Sequence, residues 1–271
     1  MDLAVRQLAK TFPDGTRVLE AVDFSIASGE GVVLLGANGC GKSTLLRCML
    51  GLEKISAGEV VIDGVSIGQA RATELRRLRA RMGSVFQQFN LVGNLTVHQN
   101  VMFGLLGTHG LIGALSLTAP AEARDKAMHS LDRVGLAHLA KRRTDTLSGG
   151  QQQRVAIARM LMQDAGVVFA DEPVASLDPR AGREVMDLLF EIVRERGLTV
   201  VCVLHQVDLA RAYADRIIGL KEGRVKLDDT PENLTDDQIA ELYEADRTLA
   251  EEEQKDADDA RAQLKRSAAA G

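Results

Sequence analysis

Two stretches near the start, LAVRQLAK and VLEAVDFSIA, alternate apolar and polar residues with a period of two, the pattern of half-buried antiparallel strands. The next run, GVVLLG, is continuously apolar and closes on glycine, as a strand buried on both faces of a parallel sheet does. The same pattern returns in VVFAD from Val167 and in LTVVCVLH from Leu198, with helical stretches between. This order predicts an α/β fold, a parallel sheet wound by crossover helices. From about Val97 to Leu161 no comparable strand run occurs, which predicts a helical insertion in that core.

Composition narrows the class. The 271 residues are 45% hydrophobic and 26% charged, which predicts one domain, or one domain with subdomains, around a normal globular core and excludes wholesale disorder, collagen-like repeats and an obvious coiled coil. A net charge of -5 argues against nucleic-acid binding by bulk charge, and 3% aromatics without tryptophan argues against base-stacking platforms. Three scattered cysteines (Cys40, Cys48, Cys202) make neither a disulfide framework nor a zinc site and point to a reducing, cytoplasmic compartment. The most apolar segment, Val101 to Leu115, is shorter than the ~18 residues a span requires and holds His109 and four glycines. MDLAVRQLAK lacks the apolar core of a signal peptide. A soluble chain is expected, with any membrane role exerted through a partner.

Charge is unevenly spread. Between Asp228 and Asp259 fourteen acids face two bases, and the part after Asp246 reads as a charged, flexible tail. Arg71 to Arg81, RATELRRLRAR, holds five arginines and one glutamate and reads as a solvated helical face.

The strand GVVLL runs into Gly36-Ala37-Asn38-Gly39-Cys40-Gly41-Lys42-Ser43-Thr44 and then the helix-like STLLRCMLGL. This is G-x-x-x-x-G-K-S with a strand before it and a helix after it. Its glycines let backbone N–H groups turn around phosphate oxygens at a helix N-terminus. Lys42 suits the β- and γ-phosphates of a nucleoside triphosphate, and the Ser43 hydroxyl suits Mg2+. Further on, Leu147-Ser-Gly-Gly-Gln-Gln-Gln-Arg154 opens a second helix. Ser148 with Gln151 fits a capping box, but capping does not explain Gly149 and Gly150 in the first turn. Two glycines there fit a close approach of backbone to a second anion.

In this order and spacing, LSGGQ after the phosphate loop resembles the signature of ABC ATPases. The resemblance runs from about Asp2 to Asp246 and implies a P-loop NTPase with a RecA-like core, an N-terminal antiparallel β subdomain and an α-helical subdomain over about 90–162. It implies a nucleotide-binding domain over 1–246 and leaves 247–271 as the tail. Within it, Asp171 in FADEP resembles the carboxylate that holds Mg2+ through water, and Glu172 the general base. Asp178 falls in the loop that crosses the dimer interface, and Gln87 resembles the glutamine that senses Mg2+ and the membrane partner, with Gln88 beside it. His205 resembles the switch histidine at the γ-phosphate, and Phe12 the aromatic that stacks on adenine. The implied site therefore joins Lys42, Glu172 and His205 as catalytic groups with Ser43, Gln87 and Asp171 as metal ligands. Ser148, Gly150 and Gln151 would enter from a second copy in a head-to-tail dimer.

Longer stretches, VFQQFNLVGNLTVHQNV, ADEPVASLDP and LHQVDLARAYADRIIGLKEGRV among them, resemble the phosphonate-import ATP-binding proteins. That implies an importer at the cytoplasmic face of a bacterial inner membrane, with integral-membrane permease subunits and an extracytoplasmic substrate-binding protein, for phosphonate, phosphite or phosphate. An importer for another solute such as an amino acid, or a regulatory or lipoprotein-releasing ABC ATPase, is the alternative. Translation-control relatives usually carry two cassettes. Chromosome-maintenance ATPases need a coiled coil that the 106 residues from Lys42 to Ser148 cannot hold.

Overall fold

The computed structural model describes residues 1–108, 110 and 119–244. The tail 247–271 and positions 109 and 111–115 of the apolar run lie outside the described residues. The two alternating stretches form β1 (Leu3–Thr11) and β2 (Arg17–Ile26), paired antiparallel with Leu3 opposite Ile26. With β4 (Ala57–Ile62) and β5 (Val65–Ser66) they make a four-stranded antiparallel sheet, ordered β2-β1-β4-β5.

The second sheet has six strands in the order β10-β9-β3-β8-β7-β6. β3 (Gly31–Leu35), β6 (Met82–Phe86), β7 (Val167–Asp171), β8 (Thr199–Val203) and β9 (Arg216–Lys221) run parallel, while β10 (Arg224–Asp229) pairs antiparallel with β9. The parallel core expected from GVVLL, VVFAD and TVVCV is present. Every residue of β3 and β8 is buried, because both sheet faces are covered. Val33, Leu35, Val168, Ala170 and Val200 pack on one side. Val32, Leu34, Val167, Phe169 and Val201 pack on the other, against the antiparallel sheet.

Eight α-helices are described: α1 (Lys42–Met49), α2 (Ala72–Ala80), α3 (Val97–Met102), α4 (Ala121–Arg133), α5 (Gly149–Met162), α6 (Pro179–Arg196), α7 (Val207–Tyr213) and α8 (Asp236–Leu242). Strand β6 was not expected from MGSVF, with its glycine and serine. The reason is packing: a Cβ on Gly83 would stand 2.7 Å from Met160 Cγ, so α5 needs that gap to lie against β6. The basic stretch is helical as expected, and Arg71, Arg76, Arg77 and Arg81 are exposed. Arg79 departs from the solvated pattern: its Nε donates to Leu50 O at 3.2 Å and its Nη2 to Gly51 O, tying α2 to the end of α1.

Candidate phosphate site

Parallel register decides where the chemistry gathers. Val33 pairs with Cys202, Asp171 with Val203, and Phe86 with Asp171, so the chain leaves β3, β6, β7 and β8 along one carboxyl edge. Open α/β sheets bind ligands at that edge. Gly36 to Gly41, Gln87, Glu172 and His205 all follow these strand ends.

The loop after β3 is built around its own lysine. Lys42 is buried, and its Nζ donates to Gly36 O at 2.7 Å and Ala37 O at 2.8 Å. Its third contact is Cys40 Sγ at 3.8 Å, a weak acceptor that a phosphate oxygen readily displaces. Gly36 has φ 144, and a Cβ there would stand 2.2 Å from Leu220 O of β9. Gly41 has φ 109 and makes no side-chain cap bond to α1. The first turn of that helix thus keeps backbone N–H groups for an anion.

A cavity of about 270 Å³ opens over this turn, lined by Asn38, Gly39, Gly41, Lys42, Ser43 and Thr44 together with Val18, Glu172 and His205. Larger hollows lie elsewhere, of about 550 Å³ beside Cys48 and about 580 Å³ beside His98. Neither has this array of convergent donors. Ser43 Oγ donates to Asp171 Oδ1 at 3.0 Å. Burial, the largest influence, holds the Asp171 carboxyl above its ordinary pKa, with the Ser43 bond pulling it back and the Glu172 charge adding to the rise. Glu172 sits at φ 48, unusual for a residue with a side chain, and its N–H donates to Val203 O at 3.1 Å. This turn points the carboxylate across to His205, whose Nε2 lies 2.5 Å from Glu172 Oε1. Tyr243 donates its hydroxyl to His205 O at 3.4 Å.

The other candidates stand outside the cavity lining. Gln87 is exposed one residue past β6. Phe12 closes the β1–β2 turn, its N–H donating to Thr16 O at 2.9 Å, with Lys10 Nζ 4.6 Å from its ring centroid. Ser148 caps α5: its Oγ accepts from Gln151 N at 3.4 Å and its N–H donates to Gln151 Oε1 at 3.1 Å. The capping box is real, and Gly149 has a packing reason too, since a Cβ there would meet Leu177 Cδ2 at 3.0 Å. A Cβ on Gly150 would stand 3.4 Å from Ala181 Cβ, ordinary contact, so packing in this chain does not demand that second glycine. Asp178 Oδ1 caps α6, accepting from Arg180 N at 3.1 Å and Ala181 N at 3.0 Å.

Cys40 stands in the phosphate loop with its side chain buried: a Cβ on Gly36 would stand 2.8 Å from its Sγ. Cys48 and Cys202 are buried as well, and no disulfide links the three. Burial pushes the Cys48 thiol up to about 11 and that of Cys202 higher still. Cys40 is therefore expected to alkylate first of the three, slowly and only as the loop opens. Peptide mapping checks this: Mg-ATP should slow the labelling, and equal labelling with and without nucleotide would remove loop closure as the cause.

Val18 and Tyr243 carry no motif and are legible only in three dimensions. A strand-loop-helix phosphate cradle after β3, with a carboxylate pair at the end of β7 two strands along the same parallel sheet, defines a P-loop NTPase of the ATP-binding cassette class. The family description "ABC transporter" matches residues 19–175. The chain belongs to the ABC transporter ATP-binding family. It is 51% identical to a phosphate-import ATP-binding protein of Mycolicibacterium smegmatis, over 88% of this chain and 90% of that protein. It is 53% identical to a phosphonates import ATP-binding protein of Nocardia farcinica, over 84% and 85% respectively. Among solved structures, a dimeric ATP-binding cassette in a post-hydrolysis state with ADP and Pi superposes with TM-score 0.75 at 37% identity, covering 86% of this chain and 100% of that one.

Proposed function

We propose that this chain is the ATP-hydrolysing subunit of an importer for phosphonate or a related phosphorus oxyanion, at the cytoplasmic face of a bacterial inner membrane. The observation that carries the ATPase reading is the carboxyl-edge cluster: Lys42 in its loop, Asp171 bonded to Ser43, and Glu172 bonded to His205. The solute class rests on the two relatives, one named for phosphate and one for phosphonates.

In this reading residues 1–246 are the nucleotide-binding domain with a helical subdomain over about 90–162, and the tail lies beyond. Lys42 and the N–H groups from Asn38 to Thr44 hold the β- and γ-phosphates of ATP. Phe12 flanks the adenine. The Ser43–Asp171 pair is an all-oxygen donor set suited to Mg2+, with Gln87 completing it. When bound, Mg2+ neutralises charge between the β- and γ-phosphates. Glu172 takes the proton of the attacking water, which requires its bond to His205 to yield. His205 then turns its ring to the γ-phosphate and holds the developing charge.

The site is incomplete in one chain, because Ser148, Gly150 and Gln151 stand at the start of α5, outside the lining of the chain's own cavity. A second copy supplies them: Ser148 and Gly150 of the partner subunit approach the γ-phosphate, and Asp178 lies at the seam. Closure of this head-to-tail dimer drives the permease subunits, with an extracytoplasmic binding protein delivering solute. Reconstitution with permease and binding protein tests the solute. Turnover should rise with phosphonate, phosphite or phosphate. Stimulation by an amino acid alone would overturn the assignment.

A further inference from the structure

Arg159 lies on the third turn of α5, away from the cavity lining, and its side chain is half-buried. Among the described residues it pairs with no carboxylate. Instead Nη1 donates to Asn90 O at 2.5 Å and Nη2 to Phe89 O at 2.9 Å. Burial alone pulls its pKa below the ordinary arginine value, so the charge is held by carbonyl dipoles. Those carbonyls belong to two successive residues in the left-handed region, Phe89 at φ 33 and Asn90 at φ 51. Neither is a glycine, so the turn needs outside support.

Support on the two sides of this turn differs. From residue 92 onward the chain is anchored by Asn100, whose Oδ1 accepts from Val92 N at 2.8 Å and whose Nδ2 donates to Val92 O at 3.1 Å. Before the turn, β6 ends at Phe86. Between them, Gln87 to Asn90 is held from α5 at two places. Arg159 grips the carbonyls, and the Phe89 ring reaches the helix start, 3.8 Å from where a Gly149 Cβ would stand. The turn of α5 that bears Arg159 is itself fixed. A Cβ on Gly104 would stand 2.3 Å from Arg159 O, and Met160 fills the gap over Gly83.

We infer that Arg159 is a positioning residue that makes the Gln87–Asn90 loop and the signature helix one moving body, so that the loop's response to ATP is passed to Ser148 and Gly150. The inference rests on the reading of Gln87 as the loop's nucleotide sensor. Arginine suits the task because its planar fork holds two carbonyls at once, whereas a lysine ammonium is a point donor without that fork.

The test is a double-mutant cycle in the full chain with Arg159→Lys and Gln87→Ala, reading kcat and KM for ATP. Arg159→Lys should lower kcat by about tenfold, within the range that coupling residues display, and leave KM nearly unchanged. The double variant should be no slower than the slower single one, since Arg159 acts through the same loop. A structural role alone would lower Tm and leave kcat intact in the folded enzyme, which overturns the inference. Multiplicative losses in the double variant overturn it as well. If Arg159→Lys does not fold, Phe89→Ala removes the second tie and should show the same non-additivity with Gln87→Ala. A neutral Gln87→Ala would overturn the sensor reading and, with it, this inference. A slow Gln87→Ala beside an unaffected Arg159→Lys would overturn the inference alone.

Discussion

Glu172→Gln is expected to slow ATP hydrolysis by about 10²-fold or more, the contribution a positioned general base makes, which corresponds to roughly 2.7 kcal/mol of barrier. Glutamine has the size of glutamate and keeps an oxygen for His205 Nε2, so the 2.5 Å contact need not be lost. The left-handed turn at φ 48 and its bond to Val203 O are main-chain features and survive. What disappears is the ability to take a proton from water. Binding should not weaken. The Glu172 charge raises the Asp171 pKa, and a neutral side chain relieves that effect, so Asp171 ionises more readily beside Ser43. The variant should therefore bind Mg-ATP at least as well as wild type and persist as an ATP dimer on size-exclusion. Wild-type turnover would remove Glu172 from the chemistry. Lost turnover with lost ATP binding would move it from chemistry to binding.

The core was legible because burial on both faces writes continuous apolar runs, and GVVLL, VVFAD and TVVCV stand in the sheet as their pattern predicts. The phosphate loop was legible because glycine spacing and a following lysine encode backbone shape directly. β6 was not, since its glycine serves the approach of Met160, a contact far away in sequence. The direction of the Cys40 side chain was not legible for a related reason. A loop position says which residue follows which, but the thiol's direction is set by Gly36 and by Lys42 turning inward to Gly36 O and Ala37 O. Arg159 was invisible because an arginine on a helix reads as solvated until its carbonyl partners, about 70 residues earlier, are seen.

Ser148 is where one residue supports two readings, and mixing variants separates them. As an N-cap, Ser148→Ala, which removes the 3.4 Å bond to Gln151 N, should cost ~1 kcal/mol. That lowers Tm by roughly 2–4 °C in a domain of this size and does nothing to turnover at a temperature where the fold survives. As a γ-phosphate ligand in trans, the same change should cut turnover by about 10²-fold, the effect of removing one donor to a developing oxyanion. Lys42→Ala, with the two loop carbonyls left without their ammonium, should be inactive in cis. A heterodimer of the two variants has one site with both lesions. Its other site pairs an intact Lys42 with an intact Ser148 of the partner subunit. With random pairing of equal amounts, about a quarter of all sites are intact, so activity should reappear on mixing two nearly inactive preparations. Recovery requires that each site be built from two chains. No recovery, with Ser148→Ala active alone and only less stable, would leave Ser148 as a helix cap.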